Sequence, residues 1–323
     1  MSSRDTEKTL RELQKFMQEH ENEITDDESV DRLTAAFMAQ HNSRLESENT
    51  EPENAYDYLE LADAAGSKKK RLEYLHKAVE VEPENMDAQL ALLMTEHEDK
   101  PNEQLPELRR LMEMEEKQLD EEGVFEEYQG DFWVCIETRP YMRLCHTYFE
   151  VLIRCGMIRC AINEGERMLK LCEGDNLGVR YQLMHLYAYI EDEMHALALH
   201  KKYGGDEETQ MLLPLAILYY KQNQFDKAED YVNRLAKTNK GAKKFLRLAA
   251  KNDRRSLFME QGLYGYQPDT IEELVEEYLT SPYLFVTTPY FCQWAYQYLR
   301  AQTAAKKKKP GTREVRRGMT ATE

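Results

Sequence analysis

Long apolar runs are missing from this chain of 323 residues, and their absence bounds where the protein can work. No stretch approaches the ~20 apolar residues that a helix needs to span a bilayer. The first residues, Met1-Ser-Ser-Arg-Asp, lack the apolar core of a secretory signal peptide. From these two absences we expect a cytoplasmic protein without a membrane partner.

Glycine and proline are also sparse, with 14 and 10 copies, and runs of β-branched residues are few. Strands favour β-branched residues, and their tight turns draw on glycine and proline. Charged residues make up 32% of the chain, a composition that suits the exposed faces of helices. This composition predicts an all-α protein.

Cysteine gives no sign of a metal or catalytic site. Five of the six cysteines fall between Cys135 and Cys172, and no two form the C-x-x-C pair typical of zinc sites. Cys135, Cys145 and Cys155 recur every ten residues, a spacing that cannot place all three on one face of a helix. His146 follows Cys145, but no sequence context for an oxyanion site accompanies that pair. We therefore predict no metal, no cofactor, no small-molecule substrate and no enzymatic activity.

The formal net charge of −17 keeps the chain soluble and repels phosphate backbones. The end of the chain departs from this balance, and we expect residues 302–323 to form a disordered basic tail. Three interpretations stay open: the tail docks on an anionic surface such as ribosomal RNA, it is a solubilising or incidental segment, or it contacts the acidic body of the same chain. The basic residues concerned are Lys306, Lys307, Lys308, Lys309, Arg313, Arg316 and Arg317.

The stretch from Gly130 to Tyr181 has the pattern of one helical hairpin. Pro140 suits a first helical turn, because its missing N–H would be unpaired there in any case. Small residues at Gly156 and Gly165 let two antiparallel helices approach closely. Bulky residues recur with helical spacing at Met142, Cys145, Tyr148, Phe149 and Leu152, and again at Ile162, Met168, Leu169 and Leu171.

The same pattern returns along the chain. Leu215 stands where Tyr148 stood, a separation of about 67 residues or roughly two units of the 34-residue tetratricopeptide period. Another copy begins near Val179, between these two. An earlier copy spans 54–85, with Arg71 where the pattern usually has alanine.

These residues resemble the tetratricopeptide repeat superfamily. More narrowly, Glu137-Thr-Arg-Pro-Tyr-Met-Arg and Asp175-Asn-x-Gly-Val-Arg-Tyr resemble bacterial tetratricopeptide proteins described as suppressor-of-tumorigenicity-like. The end of the chain, with Thr288-Pro-Tyr and Trp294, is similar to that group too, so the resemblance covers about residues 5–299. It implies an α-solenoid of stacked helical hairpins and transfers no catalytic residue.

The resemblance also implies an order of segments. An N-terminal helical cap is expected over 1–45, followed by a repeat array over 54–252. A long helix near 103–125 is expected to interrupt the array, and a helical pair over 264–301 is expected to close it.

In this superfamily the first helix of each hairpin lines the concave face, so the resemblance implies where a partner binds. Asparagine is absent from the position that clamps a terminal carboxylate in chaperone-binding members, so we do not expect chaperone-tail recognition. The mixed lining suits an extended peptide or a partner helix. The implied partner-binding residues are Tyr56, Glu60, Asp63, Arg143, His146, Glu150, Arg154, Arg180, Met184, Tyr187, Ile217, Tyr220 and Lys221.

Arg139 and Arg180 stand at helix starts, where a cation is poorly matched to the helix dipole. Each therefore needs a carboxylate or carbonyl partner, and Glu137 and Asp175 are close in sequence. These four residues are predicted to form a structural ion-pair network, and an anionic-ligand pocket is the alternative. We predict a non-catalytic scaffold for a protein or peptide partner, with an RNA- or ribosome-associated factor as the alternative.

Overall fold

The computed structural model describes residues 3–45, 51–205 and 207–308, and within those ranges the protein is all-helical. They contain eighteen α-helices, one 3-10 turn and no β-strand. The only extended pairing there consists of isolated bridges from Gly130 and Asp131 to Cys172. The all-α prediction is confirmed. None of the helices in this part of the chain combines the length and apolarity needed to cross a bilayer.

The chain divides between Leu177 and Gly178 into two compact units. The predicted array over 54–252 therefore belongs partly to each unit. In the first unit the helices are α1 Ser3–Glu19, α2 Asp27–Leu45, α3 Ala55–Asp63, α4 Lys68–Val81, α5 Met86–Glu96, α6 Pro101–Glu121, α7 Val124–Glu127, α8 Arg139–Arg154 and α9 Ile158–Leu171.

Successive helices of the first unit pack as pairs. The predicted hairpins α3–α4 and α8–α9 are both present, and α5 and α6 also contact each other between them. The second helix of each pair packs against the first helix of the next pair: α4 packs on α5, and α6 packs on α8. The first helices α3, α5 and α8 contact one another in that order. The long helix predicted near 103–125 is therefore the partner of α5, and it begins at Pro101.

A polar network in the first unit attaches α6 to the α8–α9 hairpin. The buried Tyr141 hydroxyl donates to Glu116 Oε1 at 2.6 Å and accepts from Arg167 Nη1 at 2.7 Å. Arg167 Nη2 also donates to Glu164 Oε1 at 2.6 Å. Each polar group of this network has a partner, which is what makes its burial tolerable.

The second unit contains the remaining helices. They are α10 Val179–Ile190, α11 Glu193–Lys202, α12 Thr209–Lys221, α13 Phe225–Thr238, α14 Ala242–Ala250, α15 Arg254–Phe258, α16 Ile271–Thr280, α17 Pro282–Thr287 and α18 Phe291–Lys308.

Pairs α10–α11 and α12–α13 open the second unit, and α10 also contacts α12. Three helices follow where a closing pair over 264–301 was predicted, because Pro282 starts a separate short helix, α17, directly after α16. Helix α16 packs on α12 and α14, α17 on α10, and α18 on α13 and α14. The last helix continues to Lys308, past the predicted start of the tail, and residues 309–323 lie outside the described part of the chain.

One glycine allows α14 and α16 to begin side by side. A Cβ atom at Gly241 would lie 2.4 Å from the backbone nitrogen of Ile271 and 2.5 Å from its Cα atom. Because the obstructing atoms are backbone, they cannot move aside as a flexible side chain would.

We predict that Gly241→Ala lowers the free energy of unfolding by about 1–3 kcal/mol, because the added methyl group forces the start of α16 outward. Chemical denaturation of the intact protein measures this change. Gly66→Ala is the control, since a Cβ atom there meets nothing within 4 Å and we expect a change within about 0.5 kcal/mol. Equal effects of the two substitutions would contradict the close approach.

Candidate partner-binding faces

The first helices of the first unit carry seven of the predicted partner-binding residues. Asn54 starts α3 with a capping box, in which its side chain accepts from the Asp57 N–H and the Asp57 side chain accepts from the Asn54 N–H. Helix α8 starts with Pro140 in its first turn. We call the surface of α3, α5 and α8 that includes Tyr56, Asp57, Glu60, Asp87 and Arg143 the first-helix face.

Helix α1 of the same chain lies against the first-helix face. The guanidinium of Arg143 donates two hydrogen bonds to the buried carboxylate of Glu7 on α1. They run from Nη1 to Oε1 at 2.9 Å and from Nη2 to Oε2 at 2.8 Å. Arg143 also donates from Nε and Nη2 to the carboxylate of Asp87, at 2.8 and 2.6 Å. One side chain of α8 therefore binds both α1 and α5.

The electrostatics of this bridge follow from its geometry. Burial by itself would lower the pKa of Arg143, but the hydrogen bonds to Asp87 and Glu7 outweigh it and raise the pKa above its usual value. The guanidinium is the group best suited to this task, because it stays charged and presents a rigid fork of donors to two carboxylates.

A second ionic contact fixes α1 on α3. Lys8 Nζ lies 2.6 Å from Asp57 Oδ1 and 3.1 Å from Glu60 Oε1. Burial opposes the charged forms of both Lys8 and Asp57. Their mutual hydrogen bond prevails, so the pKa of Lys8 is raised and that of Asp57 is lowered. Beside this contact, the guanidinium of Arg11 lies 5.7 Å from the centre of the Tyr56 ring.

Apolar and charged contacts both attach α1. Leu10, Leu13, Phe16 and Met17 of α1 are partly buried, and Glu7 is fully buried. An open cavity of about 480 Å³ remains beside α1, lined mostly by residues of α1, α2 and the start of α3. The ion pairs of Glu7 and Lys8 therefore add specific contacts to an apolar attachment that is incomplete.

The other predicted residues of the first unit lie on exposed parts of α3 and α8. His146 Nδ1 lies 4.0 Å from Glu150 Oε2, and Asp63 pairs with Arg71 at 3.4 Å. Glu150 and Arg154 are exposed. These side chains remain accessible to a partner.

The second unit covers its predicted binding residues with its own helices. Met184 and Ile217 are completely buried and Tyr187 is 4% exposed, while α16 and α17 pack on α12 and α10. These three side chains therefore have no surface with which to bind a partner. The repeat pattern identified the first helices but gave no sign that later helices would pack on them.

The remaining predicted residues of this unit also have internal partners. The Tyr220 ring centre lies 5.2 Å from that of Trp294 on α18. Lys221 donates to Ala188 O at 3.2 Å and pairs with Glu191 at 3.4 Å.

The four residues of the predicted ion-pair network have the following contacts and positions in the structure. Arg139 donates from Nε to Trp133 O at 2.8 Å, and its ion-pair partner is Glu7, at 3.6 Å. Glu137 accepts from the Cys135 thiol at 3.1 Å. Arg180 stacks on the Tyr181 ring at 4.1 Å and pairs with Glu208 at 3.8 Å. Asp175 is buried and has a positive φ of 49°.

A buried polar cluster attaches α16 to α10. His185 Nδ1 lies 2.8 Å from the Ser281 hydroxyl, and its Nε2 lies 3.6 Å from Glu277 Oε2. Neither carboxyl oxygen of Glu277 has a hydrogen-bond partner within the described residues. Burial raises the pKa of Glu277 well above its usual range, with a further contribution from Glu273, and lowers the pKa of His185 to about 4.

The sequence analysis did not identify four of these residues as site residues: Glu7, Asp87, His185 and Glu277. Glu7 and Asp87 have the positions of ordinary exposed charges near helix starts, so no local signal marks them as buried. Within the described residues no group of three or more His, Cys, Asp or Glu side chains is arranged to hold a metal ion. Lys306, Lys307 and Lys308 lie within α18, whereas Lys309, Arg313, Arg316 and Arg317 lie outside the described residues.

No protein-family model matches the chain, and no curated protein is detectably similar to it in sequence.

The His185–Glu277 pair predicts a distinct pH dependence of stability. Between the ordinary pKa values of Glu and His, 4.5 and 6.5, the unfolded chain holds one proton on His185 and the folded protein holds one on Glu277, so the pair contributes no slope. Above pH 6.5 the unfolded chain has released both protons. Stability therefore falls as pH rises, by about 1.4 kcal/mol per pH unit, until the raised pKa of Glu277 is reached.

Glu277→Gln removes this contribution, so denaturation at pH 7, 8 and 9 is expected to show a shallower decline for the variant than for the unmodified protein. Glu276→Gln, at the neighbouring half-buried position, is the control and is expected to leave the decline unchanged. Parallel curves for all three proteins would show that Glu277 holds no proton in this range.

Proposed function

We propose that this protein is a non-catalytic scaffold whose first unit binds a helical segment of a protein partner on the first-helix face. The order of contacts among α3, α4, α5, α6, α8 and α9 supports a tetratricopeptide-like arrangement. In such an arrangement each first helix packs on the next, and each second helix packs on the following first helix. A row of first helices of this kind is suited to a helix bound across it.

The observation that carries the proposal is the position of α1. A helix already occupies the first-helix face, and it contacts α3 and α8 through charged side chains. Its link to α5 is indirect, because Arg143 of α8 also binds Asp87 of α5. It thereby reveals the chemistry that the face accepts: a carboxylate for Arg143 and, one residue later, a cation for Asp57 and Glu60. A partner helix with the same two charges would replace the contacts of α1 one for one.

Exchange of α1 for a partner is physically reasonable. Ion pairs of partly exposed side chains contribute about 0–1 kcal/mol each, and Lys8 and Glu60 belong to this class. The buried pair of Glu7 and Arg143 is different, because separating it leaves Arg143 with Asp87 alone and Glu7 with only its longer ion pair to Arg139. A partner must therefore supply a carboxylate to Arg143, and this requirement makes the face selective.

We predict that Arg143→Met releases α1, because Glu7 then loses both hydrogen bonds from the Arg143 guanidinium and keeps only the longer ion pair with Arg139. Amide hydrogen exchange over residues 3–19 should become at least tenfold faster, while exchange in α9 stays unchanged. Arg154→Met is the matched control, because Arg154 is an exposed arginine of the same helix. Unchanged exchange in α1 of the Arg143 variant would show that charge does not hold α1.

A synthetic peptide of residues 3–21 provides the binding test. The full-length Glu7→Ala/Lys8→Ala variant, in which α1 is weakened, should bind this peptide in fluorescence anisotropy. Addition of Arg143→Met to that variant should weaken binding at least tenfold, and addition of Arg154→Met should not. If the weakened variant does not bind the peptide, or binds it regardless of Arg143, the first-helix face is not a docking site for helices.

A further inference from the structure

The second unit contains a concentration of positive charge that is unusual for this acidic chain. Residues 237–255 carry eight basic residues and a single acidic one, Asp253, whereas the whole chain has a net charge of −17. The eight are Lys237, Lys240, Lys243, Lys244, Arg247, Lys251, Arg254 and Arg255, and every one of them is exposed.

Few of these cations are neutralised. Lys244 pairs with Glu260 at 2.6 Å, and Lys243 donates to the Thr303 hydroxyl of α18 at 3.0 Å. Within the part of the chain that the structure describes, no ion pair involves Arg247, Lys251, Arg254 or Arg255. The carboxylate of Asp253 caps α15 by accepting from the Ser256 N–H. The cluster therefore retains most of its positive charge on the surface.

An apolar cleft lies at the end of this cluster. It has a volume of about 560 Å³ and is formed by the end of α14 and by α15, α16, α17 and the start of α18. Arg254 lines the cleft together with Phe258, one helical turn later on α15. The other apolar side chains in its lining include Leu257, Tyr278, Leu279, Phe285 and Val286.

Several apolar side chains in the cleft and in the segment that follows α15 are exposed to solvent. Val286 is 73% exposed and Phe258 is 65% exposed. Met259 and Leu263, just after α15, are 76% and 92% exposed. Contiguous apolar surface bordered by charge is typical of an interaction site, because a monomer gains nothing by leaving such surface in water.

The composition of this surface distinguishes between two kinds of polyanion. A single-stranded nucleic acid would use the cations, but it needs aromatic rings on which its bases stack. The exposed large apolar residues that line the cleft are instead the aliphatic Leu279 and Val286 and a single aromatic one, Phe258. Leucine and phenylalanine side chains of a peptide pack on such surface, and carboxylates on the same peptide satisfy Arg254 and its neighbours.

We propose that the cleft between α14 and α17, with the cations of 237–255 along its border, binds an acidic amphipathic helix of another protein. The apolar side of that helix enters the cleft beside Phe258 and Val286. Its carboxylates pair with Lys251, Arg254 and Arg255. This surface lies wholly within the second unit, so it does not depend on the function proposed for the first.

The test uses the full-length protein and a labelled 18-residue peptide designed with leucine and phenylalanine on one helical face and glutamate on the other. Fluorescence anisotropy should detect binding that Arg254→Ala/Arg255→Ala and Val286→Asp each weaken at least tenfold. Both sites are exposed, so the variants should fold. Lys201→Ala/Lys202→Ala changes two adjacent exposed cations of the same unit and should leave binding unchanged.

Two further probes separate the alternatives. A peptide with glutamine in place of each glutamate should bind at least tenfold more weakly, and equal binding would overturn the role of charge. A 20-nucleotide oligouridine should bind weakly if at all. Tight oligouridine binding that requires Arg254 and Arg255 but ignores Val286→Asp, together with no binding of the acidic peptide, would overturn the proposal in favour of a nucleic-acid surface.

Discussion

The guanidinium of Arg143 is the group on which the first unit depends most. It compensates two buried carboxylates, Glu7 from α1 and Asp87 from α5, and it belongs to a third helix, α8. An uncompensated carboxylate in such a position costs several kcal/mol, so each of these helices is constrained by the others. Because one planar cation satisfies two acids, α1 is placed on the first-helix face with a defined register that apolar contact alone would not impose.

Each unit covers the surface of its first helices with other helices, but by different chemistry. In the first unit, the contacts of α1 with α3 and α8 include buried and partly buried ion pairs, and its apolar residues are only partly buried. In the second, α16 and α17 cover α12 and α10. Burial there lowers the pKa of His185 and raises the pKa of Glu277, so it favours the neutral form of both side chains. A charged contact can be exchanged for an equivalent one from a partner, because water solvates both helices when they separate. An apolar contact with complete burial has no such low-energy open state.

These differences favour different roles for the two units in the proposed scaffold. On that proposal, a partner helix replaces α1 on the first-helix face, and the contacts of α1 indicate which charges the partner must carry. In the second unit, α16 and α17 pack on the first helices α12 and α10. The surface that we propose for binding there is instead the cleft beside Phe258 and Val286, together with the cations of 237–255. A protein with both surfaces can hold two segments of different charge, which is consistent with a scaffold and requires no catalytic group.

The sequence by itself determined the helices, because helix formation depends on local periodicity, caps and proline positions. It identified the hairpins α3–α4, α8–α9, α10–α11 and α12–α13. Only the tertiary structure decided which surface of those hairpins is free. The burial of Glu7, the covering of Met184 and Ile217, and the pairing of His185 with Glu277 all join residues far apart in the chain. A local pattern shows which side of a helix is suited to contact, but the helix that makes the contact is selected by the packing of the whole unit.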